Sequence, residues 1–400
     1  MDTFLSTGQG DAQSARTPTG KSTGGLGGLL PERLPSLTGL RFIAAFMVFL
    51  YHSSLRAPYL RLIGDNKTAA DWFTLAQPTG GLGVTFFFVL SGFVLTWSAR
   101  KGDTNRAFWR RRFVKIYPNY VVTWLLAMIL FAAASTPAWK AILNLFMLQV
   151  WVPEFNTHFS VDSPSWSLGA EAVFYACFPL LLMLAQRTSP DRLKYWIAGT
   201  IAGVIAAPLV AYLAFSSTPA VAVGAASEIQ YYLVYVNPII RVFDFALGIF
   251  LAQAVLTGRW RDIGMLWSGL LLIGTIVLAE FVPFLYGQRA VAIIPIAMLI
   301  AAAAMRDSRG GFTLFRNRAM VWLGNISFAF YLLHFIVLRA GRSILGTQLF
   351  STPVAVAVLV VELLVSVALS GLLYALVEQP MVRRWSRRRE AAAVAPSPVP

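Results

Sequence analysis

LTGLRFIAAFMVFLYH, residues 37–52, is an almost unbroken apolar run that carries one arginine, Arg41, and one histidine, His52. Extended to Ser54 and wound as a helix, it is about 27 Å long at 1.5 Å per residue, close to the roughly 30 Å of a bilayer core. Arg41 and His52 are eleven residues apart, which at about 100° per residue brings them within about 20° of the same face, roughly 16 Å apart along the axis. An ionisable group inside a membrane helix costs a few kcal/mol unless it is paired or hydrated, so each one needs a reason. A permanent cation at one end of a helix face and an imidazole at the other suit a long substrate, its anionic end gripped by the arginine and its reactive end at the histidine.

The rest of the chain repeats this apolar character. The 400 residues are 57% hydrophobic and 13% charged, with a mean hydropathy of +0.64, whereas soluble domains carry about 25% charged residues. The expected fold is an all-α integral membrane bundle of about ten transmembrane helices. They are predicted at residues 37–54, 80–99, 118–134, 165–185, 195–215, 231–256, 263–281, 290–305, 320–338 and 352–377. Residues 139–152, apolar but short and preceded by Pro137, read as an interfacial or re-entrant helix. The domain plan is a disordered cytoplasmic tail over 1–36, a transmembrane domain over 37–380, and a basic, then Ala/Pro-rich cytoplasmic tail over 381–400.

The excess of 33 Lys and Arg over 18 Asp and Glu raises nucleic acid as a partner, and the placement of the charges excludes it. With the amino terminus in the cytoplasm, 24 basic residues fall in cytoplasmic segments and seven in the opposite loops; Arg41 and Arg241 lie within helices. That is the positive-inside pattern of a multi-pass protein with both termini cytoplasmic. Cys177 is the single cysteine, which leaves no intramolecular disulfide and no thiolate cluster. No His, Cys or carboxylate spacing matches a metal signature, so no metal is expected.

Counted from the predicted helix ends, His52 lies about 22 Å and His334 about 21 Å above the cytoplasmic side, and Glu171 about 9 Å below the outer one. The three are expected to share one layer. Ser167, Glu171 and Tyr175 recur every fourth residue and form a polar stripe facing the bundle. Arg241 and Asp244, three apart, are expected to pair, with substrate gripping the lesser alternative. Glu362 has no evident mate, Glu280 lies near the surface, and His158, in a loop with Glu154 and Asp162, is expected to be solvated. Gly80, Gly81 and Gly83 lack the strand and lysine of a phosphate loop and read as close helix packing.

Five stretches together resemble the acyltransferase-3 family of integral membrane O-acyltransferases. They are LTGLRFIAAFMVFLYH with Arg41 and His52, GVTFFFVLSGFVL with Ser91 and Gly92, FWRRRFVKIYPNY leading into Pro118 and Tyr120, PSWSLGAEAVFY with Glu171, Phe174 and Tyr175, and GNISFAFYLLH ending at His334. A terminal VEQP, ending at Pro380, adds to them, and the resemblance runs from Leu37 to Pro380. Two departures stand out: Lys115 replaces a usual arginine, giving a point charge for a bidentate fork, and Ala172 stands where a second glutamate is common.

The resemblance implies transfer of an acyl group, usually acetyl and usually from acyl-coenzyme A, to a hydroxyl of a sugar-bearing acceptor. His52 would be the general base or be transiently acylated, with Glu171 or His334 orienting its ring. Arg41, Arg110, Arg111, Arg112 and Lys115 would hold the phosphates of coenzyme A; for the loop cluster, positive-inside charge is an equal explanation. Ser91, Ser167, Tyr175 and His334 would line the substrate site. Some relatives carry an added esterase-like domain, for which the residues after Pro380 leave no room, so the acceptor is expected to visit the membrane domain itself. The preference for arginine over lysine and the abundance of alanine point to a GC-rich bacterial genome and the bacterial cell membrane. A macrolide-type antibiotic glycoside or a surface or exported polysaccharide then fits as acceptor, with a slight lean to the antibiotic. The rival is a transporter or flippase of an amphipathic glycoside, against which stands the absence of an internal repeat.

Overall fold

The computed structural model describes residues 34–99, 102–221 and 223–385, so most of both predicted tails lies outside the described residues. Among these the chain is all-α, with only two isolated β-bridges. Among the described residues nine helices are long and apolar enough to cross a membrane. They are α1 (Pro35–Ser54), α2 (Asn66–Trp97), α3 (Asn105–Ala132), and, after a short α4 (Ala138–Leu145), α5 (Ser163–Arg187), α6 (Pro190–Ala214) and α7 (Glu228–Leu256). Beyond a shorter apolar α8 (Met265–Phe281) come α9 (Ala290–Ser308), α10 (Arg318–Leu345) and α11 (Thr352–Trp385). The seventh predicted span, 263–281, is thus this shorter helix: Gly264, with φ of 85°, starts it late and Pro283 follows its end.

Two helices start well before their predicted starts, residues 80 and 118, and each runs through a proline. Pro78 sits within α2, which begins at Asn66 under the Asp65 cap (Thr68 N–H to Oδ1, 2.7 Å), and Pro118 within α3, capped by Thr104. Membrane helices tolerate such prolines because neighbouring groups take up the freed backbone. The re-entrant reading of 139–152 corresponds to α4 and a 3-10 turn, Gln149–Trp151, folded against the bundle. Asn144 and Gln149 there are fully buried; Tyr120 donates to Asn144 Oδ1 at 2.8 Å, and Asn144 Nδ2 donates to the Ser160 carbonyl at 2.8 Å.

At the centre, α2 packs on α1 and α7, and α1 on α10. Without a hydrophobic force between helices in lipid, such contacts depend on small residues that let backbones meet. A Cβ on Gly248 would lie 1.9 Å from the Val89 carbonyl oxygen, and one on Gly92 2.0 Å from that of Phe245. Gly81 and Gly83 take the same role against Gln288 and Ala44, as the sequence reading held.

Buried charge locks these helices. Arg241 Nε lies 3.3 Å from Asp244 Oδ2, the expected pair, and Arg289 Nη1 joins at 2.9 Å; all three side chains are fully buried. Arg289 belongs to a connecting segment, where no periodicity marks its burial. Arg241 also donates to Thr85 Oγ1 at 3.3 Å and lies 4.7 Å from the Phe88 ring centre, so the triad ties α2, α7 and the segment entering α9 together. Glu362, unmated in the sequence reading, is buried and both its oxygens lack a hydrogen-bond partner among the described residues. His158 is not solvated as expected but fully buried among the rings of Phe155, Phe159 and Tyr232, where burial lowers its pKa to about 4.

Gly248→Ala is expected to destabilise the detergent-solubilised protein by about 1–3 kcal/mol or more, because the clash is with backbone. Gly274→Ala, with no atom within 4 Å of its Cβ, is expected to leave the thermal midpoint unchanged or raised. Parallel melts of the two variants check this.

Candidate active site

His52 lies in the last turn of α1 and is 6% exposed. The packing of α1 on α10 brings His334 beside it, with His52 Nδ1 at 2.9 Å from His334 Nε2. His334 Nδ1 in turn lies 3.1 Å from the Phe330 carbonyl oxygen, four residues back on its own helix. That contact fixes the protons. A carbonyl only accepts, so His334 Nδ1 carries its hydrogen; in a neutral ring its Nε2 is then a bare acceptor, and His52 Nδ1–H donates to it. The proton of neutral His52 is thereby held on Nδ1, and its Nε2 keeps a free lone pair.

His52 borders a cavity of about 490 Å³ whose wall is largely aromatic, with Tyr51, Trp166, Tyr231, Tyr235 and Phe335 among its residues. Two cations stand on it, Arg56 and Arg339, the latter 4.0 Å from the ring centre of Phe131 and 4.9 Å from that of Tyr59. A second, smaller cavity of about 130 Å³ lies toward the start of α1 and is lined by Arg41, Arg112, Lys115, Ser91, Ser167, Glu171 and Tyr175 together with apolar groups. Glu171 accepts from Tyr175 OH and from Ser91 Oγ at 3.3 Å. Lys115 lies within electrostatic reach of Arg41, Arg112, Glu171 and Glu378, and Glu378 accepts from Asn119 Nδ2 at 2.7 Å.

The structure therefore divides the predicted site in two. His52 and His334 meet. Glu171 does not share their layer: it faces the cation-lined cavity and makes no hydrogen bond to either histidine. Ser167 Oγ is 2.9 Å from Tyr331 OH; Glu171 lies about 6 Å along α5 on one side of that contact and His334 about 4.5 Å along α10 on the other. The depth expected from sequence took Ser165 as a membrane-surface end, whereas Ser165 is fully buried beneath the segment that α4 begins.

The basic cluster also splits. Arg112 and Lys115, three residues apart on α3, face the cavity with Arg41. Arg110 is exposed, and Arg111 pairs with Asp103, Nη1 to Oδ1 at 3.1 Å. Trp109 anchors this turn to α5 by donating to the Tyr175 carbonyl at 2.9 Å. Tyr331, shared by both cavity walls, went unnoticed in the sequence reading although it stands one turn before His334 in the GNISFAFYLLH stretch. Among the described residues no group of His, Cys, Asp or Glu is placed to hold a metal ion.

Residues 34–371 match the family described as an acyltransferase domain. The chain belongs to this family. It is an integral membrane O-acyltransferase with multiple membrane-spanning helices. Among similar proteins is acyltransferase MdmB of Streptomyces mycarofaciens, 37% identical over 92% of this chain and 96% of its own length. Two others are the putative peptidoglycan O-acetyltransferase YrhL of Bacillus subtilis, 26% identical over 89% of this chain, and the peptidoglycan O-acetyltransferase OatA of Listeria monocytogenes, 23% identical over 78%. The acyltransferase spans 56% and 50% of the lengths of those two. No solved structure matches it.

If His334 positions His52, His334→Ala in the acyltransferase should lower kcat about 10- to 100-fold, in the range of a misoriented base, with KM little changed. His334→Gln, whose side-chain oxygen can accept from His52 Nδ1–H, should recover part of the loss. Steady-state kinetics of the three proteins, with folding checked by their melts, read this out.

Proposed function

We propose that the protein transfers a short acyl group, acetyl foremost, from acyl-coenzyme A to a hydroxyl of a sugar-bearing acceptor at the bacterial cell membrane. The observation that carries this reading is the placement of His52, its Nε2 free, at an aromatic cavity, while Arg41, one of the cations of a second cavity, lies about three helical turns away along the same helix. Arg41, Arg112 and Lys115 suit the anionic end of the donor, and the roughly 16 Å between Arg41 and His52 suits an extended arm between phosphate and thioester. The cation-lined cavity is smaller than the roughly 300–1,000 Å³ of pockets that engulf whole ligands. It therefore holds the arm, with the nucleotide outside, where exposed Arg110 and its neighbour Arg111 stand.

In this mechanism His52 Nε2 accepts the proton of the acceptor hydroxyl as its oxygen bonds to the acyl carbon. The carbon–sulfur bond breaks, and His52 returns the proton to the departing thiolate, leaving a free thiol and an ester. His334 holds the imidazole throughout by accepting from Nδ1–H. Glu171, fixed by Tyr175 and Ser91, is assigned to the cation-lined cavity, where it sets the geometry of the basic groups. General base catalysis of this kind contributes about 10²–10⁴-fold.

The aromatic wall of the larger cavity suits the apolar faces of a glycoside. A macrolide-type antibiotic glycoside is the favoured acceptor and a surface or exported polysaccharide the alternative, with both termini of the chain in the cytoplasm.

Membranes containing the full chain should move radiolabel from acetyl-coenzyme A to a macrolide glycoside or, in a parallel arm, to a solubilised polysaccharide. His52→Ala should lower transfer at least 100-fold, and Arg41→Ala should chiefly raise the donor KM. Transfer undiminished in His52→Ala overturns the mechanism; no transfer by the unmutated chain to either acceptor overturns the reading.

A further inference from the structure

The two cavities are neighbours: Val84 of α2 and Tyr331 of α10 are the residues that appear in both walls. His52 borders one chamber, and Arg41 and Lys115 the other. Resting on the proposed donor and acceptor chambers, we propose that Tyr331, together with Val84, forms the neck through which the acyl group must pass to reach His52, and that its bore sets the acyl chain length this enzyme accepts.

The neck is built to keep its width. Tyr331 OH lies 2.9 Å from Ser167 Oγ and donates to the Pro164 carbonyl at 3.2 Å, so its tip is held by the start of α5. Its ring meets Phe87 edge-on at 5.7 Å, and it is 6% exposed. Val84 is 2% exposed, and the adjacent Gly83 lies against α1 so closely that a Cβ would sit 2.6 Å from the Ala44 oxygen; α2 cannot retreat. Both sides of the neck are therefore anchored to backbone, and packed interiors do not yield gradually.

A two- or three-carbon acyl group presents little beyond the thioester and meets His52 at the neck. A long acyl chain must thread between Tyr331 and Val84 and then compete with the acceptor for the aromatic chamber. The same closure keeps water of the cation-lined chamber from His52, which limits hydrolysis of the thioester in the absence of acceptor.

The test measures kcat/KM of the full, detergent-solubilised chain with acetyl-, butyryl- and octanoyl-coenzyme A against one macrolide glycoside. Tyr331→Ala should raise the octanoyl-to-acetyl ratio about tenfold or more, the size of effect that a few methylenes produce in a fitted pocket, and should add acceptor-independent hydrolysis. Tyr331→Phe, which keeps the ring, should leave the ratio within about threefold, and Val84→Ala should shift it in the same direction as Tyr331→Ala by a smaller factor. A uniform fall with all three donors, the ratio unmoved, overturns the assignment and marks Tyr331 as structural. Should Tyr331→Ala not fold, an unmoved ratio in Val84→Ala overturns it equally. Absence of transfer by the unmutated chain is a separate result that removes the proposed function and this inference together.

Discussion

The hydrogen bond between His52 and His334 joins two helices 282 residues apart in sequence, and it exists only because α1 and α10 are locked in register. A Cβ on Gly324 would stand 1.9 Å from the Thr38 oxygen, so the two backbones touch near the start of α1. Phe330 then packs against Phe42 and Phe49, at 5.4 and 6.1 Å between ring centres, and carries His334 one turn further on to the level of His52. The height of α1 is set at its first turn, where Asp307 accepts from Ser36 N at 2.8 Å and Ser36 Oγ at 2.6 Å, a carboxylate at the positive end of a helix. A slip of one residue in either helix would part the imidazoles.

Hydrocarbon made much of this legible in the sequence. A chain that must satisfy its own backbone across a bilayer has few options, so apolar length alone located the helices, and the cost of charge inside them singled out Arg41, His52, Glu171, His334 and the Arg241–Asp244 pair. What the sequence did not give follows one pattern, in which position depended on segments without periodicity. Pro118 looked like a helix start because the continuation of a helix through proline depends on neighbouring helices. Arg289 and His158 belong to connecting segments folded into the bundle, and another such segment, through Asn144 and Gln149, buries Ser165, which moved Glu171 with it, away from the histidines and toward the cations. Arg110, Arg111, Arg112 and Lys115 fall within six residues of α3, and only the helical turn separates Arg112 and Lys115 from Arg110 and Arg111.

Buried charges in this protein therefore have different uses. The triad of Arg241, Asp244 and Arg289 has no opening onto either cavity wall described above and fastens helices. Arg41, Arg112 and Lys115 line open space, with Glu171 and Glu378 near enough to moderate their mutual repulsion.

Two chambers that share Tyr331 as a wall also bear on the order of events. Because each partner of the proposed reaction has its own room, neither has to depart before the other arrives, and both can be held at once on either side of Tyr331. Such an arrangement favours direct passage of the acyl group within a ternary complex over a shuttle in which the enzyme is charged first and discharged later. The wall between the rooms thus bears on the kinetic class of the enzyme.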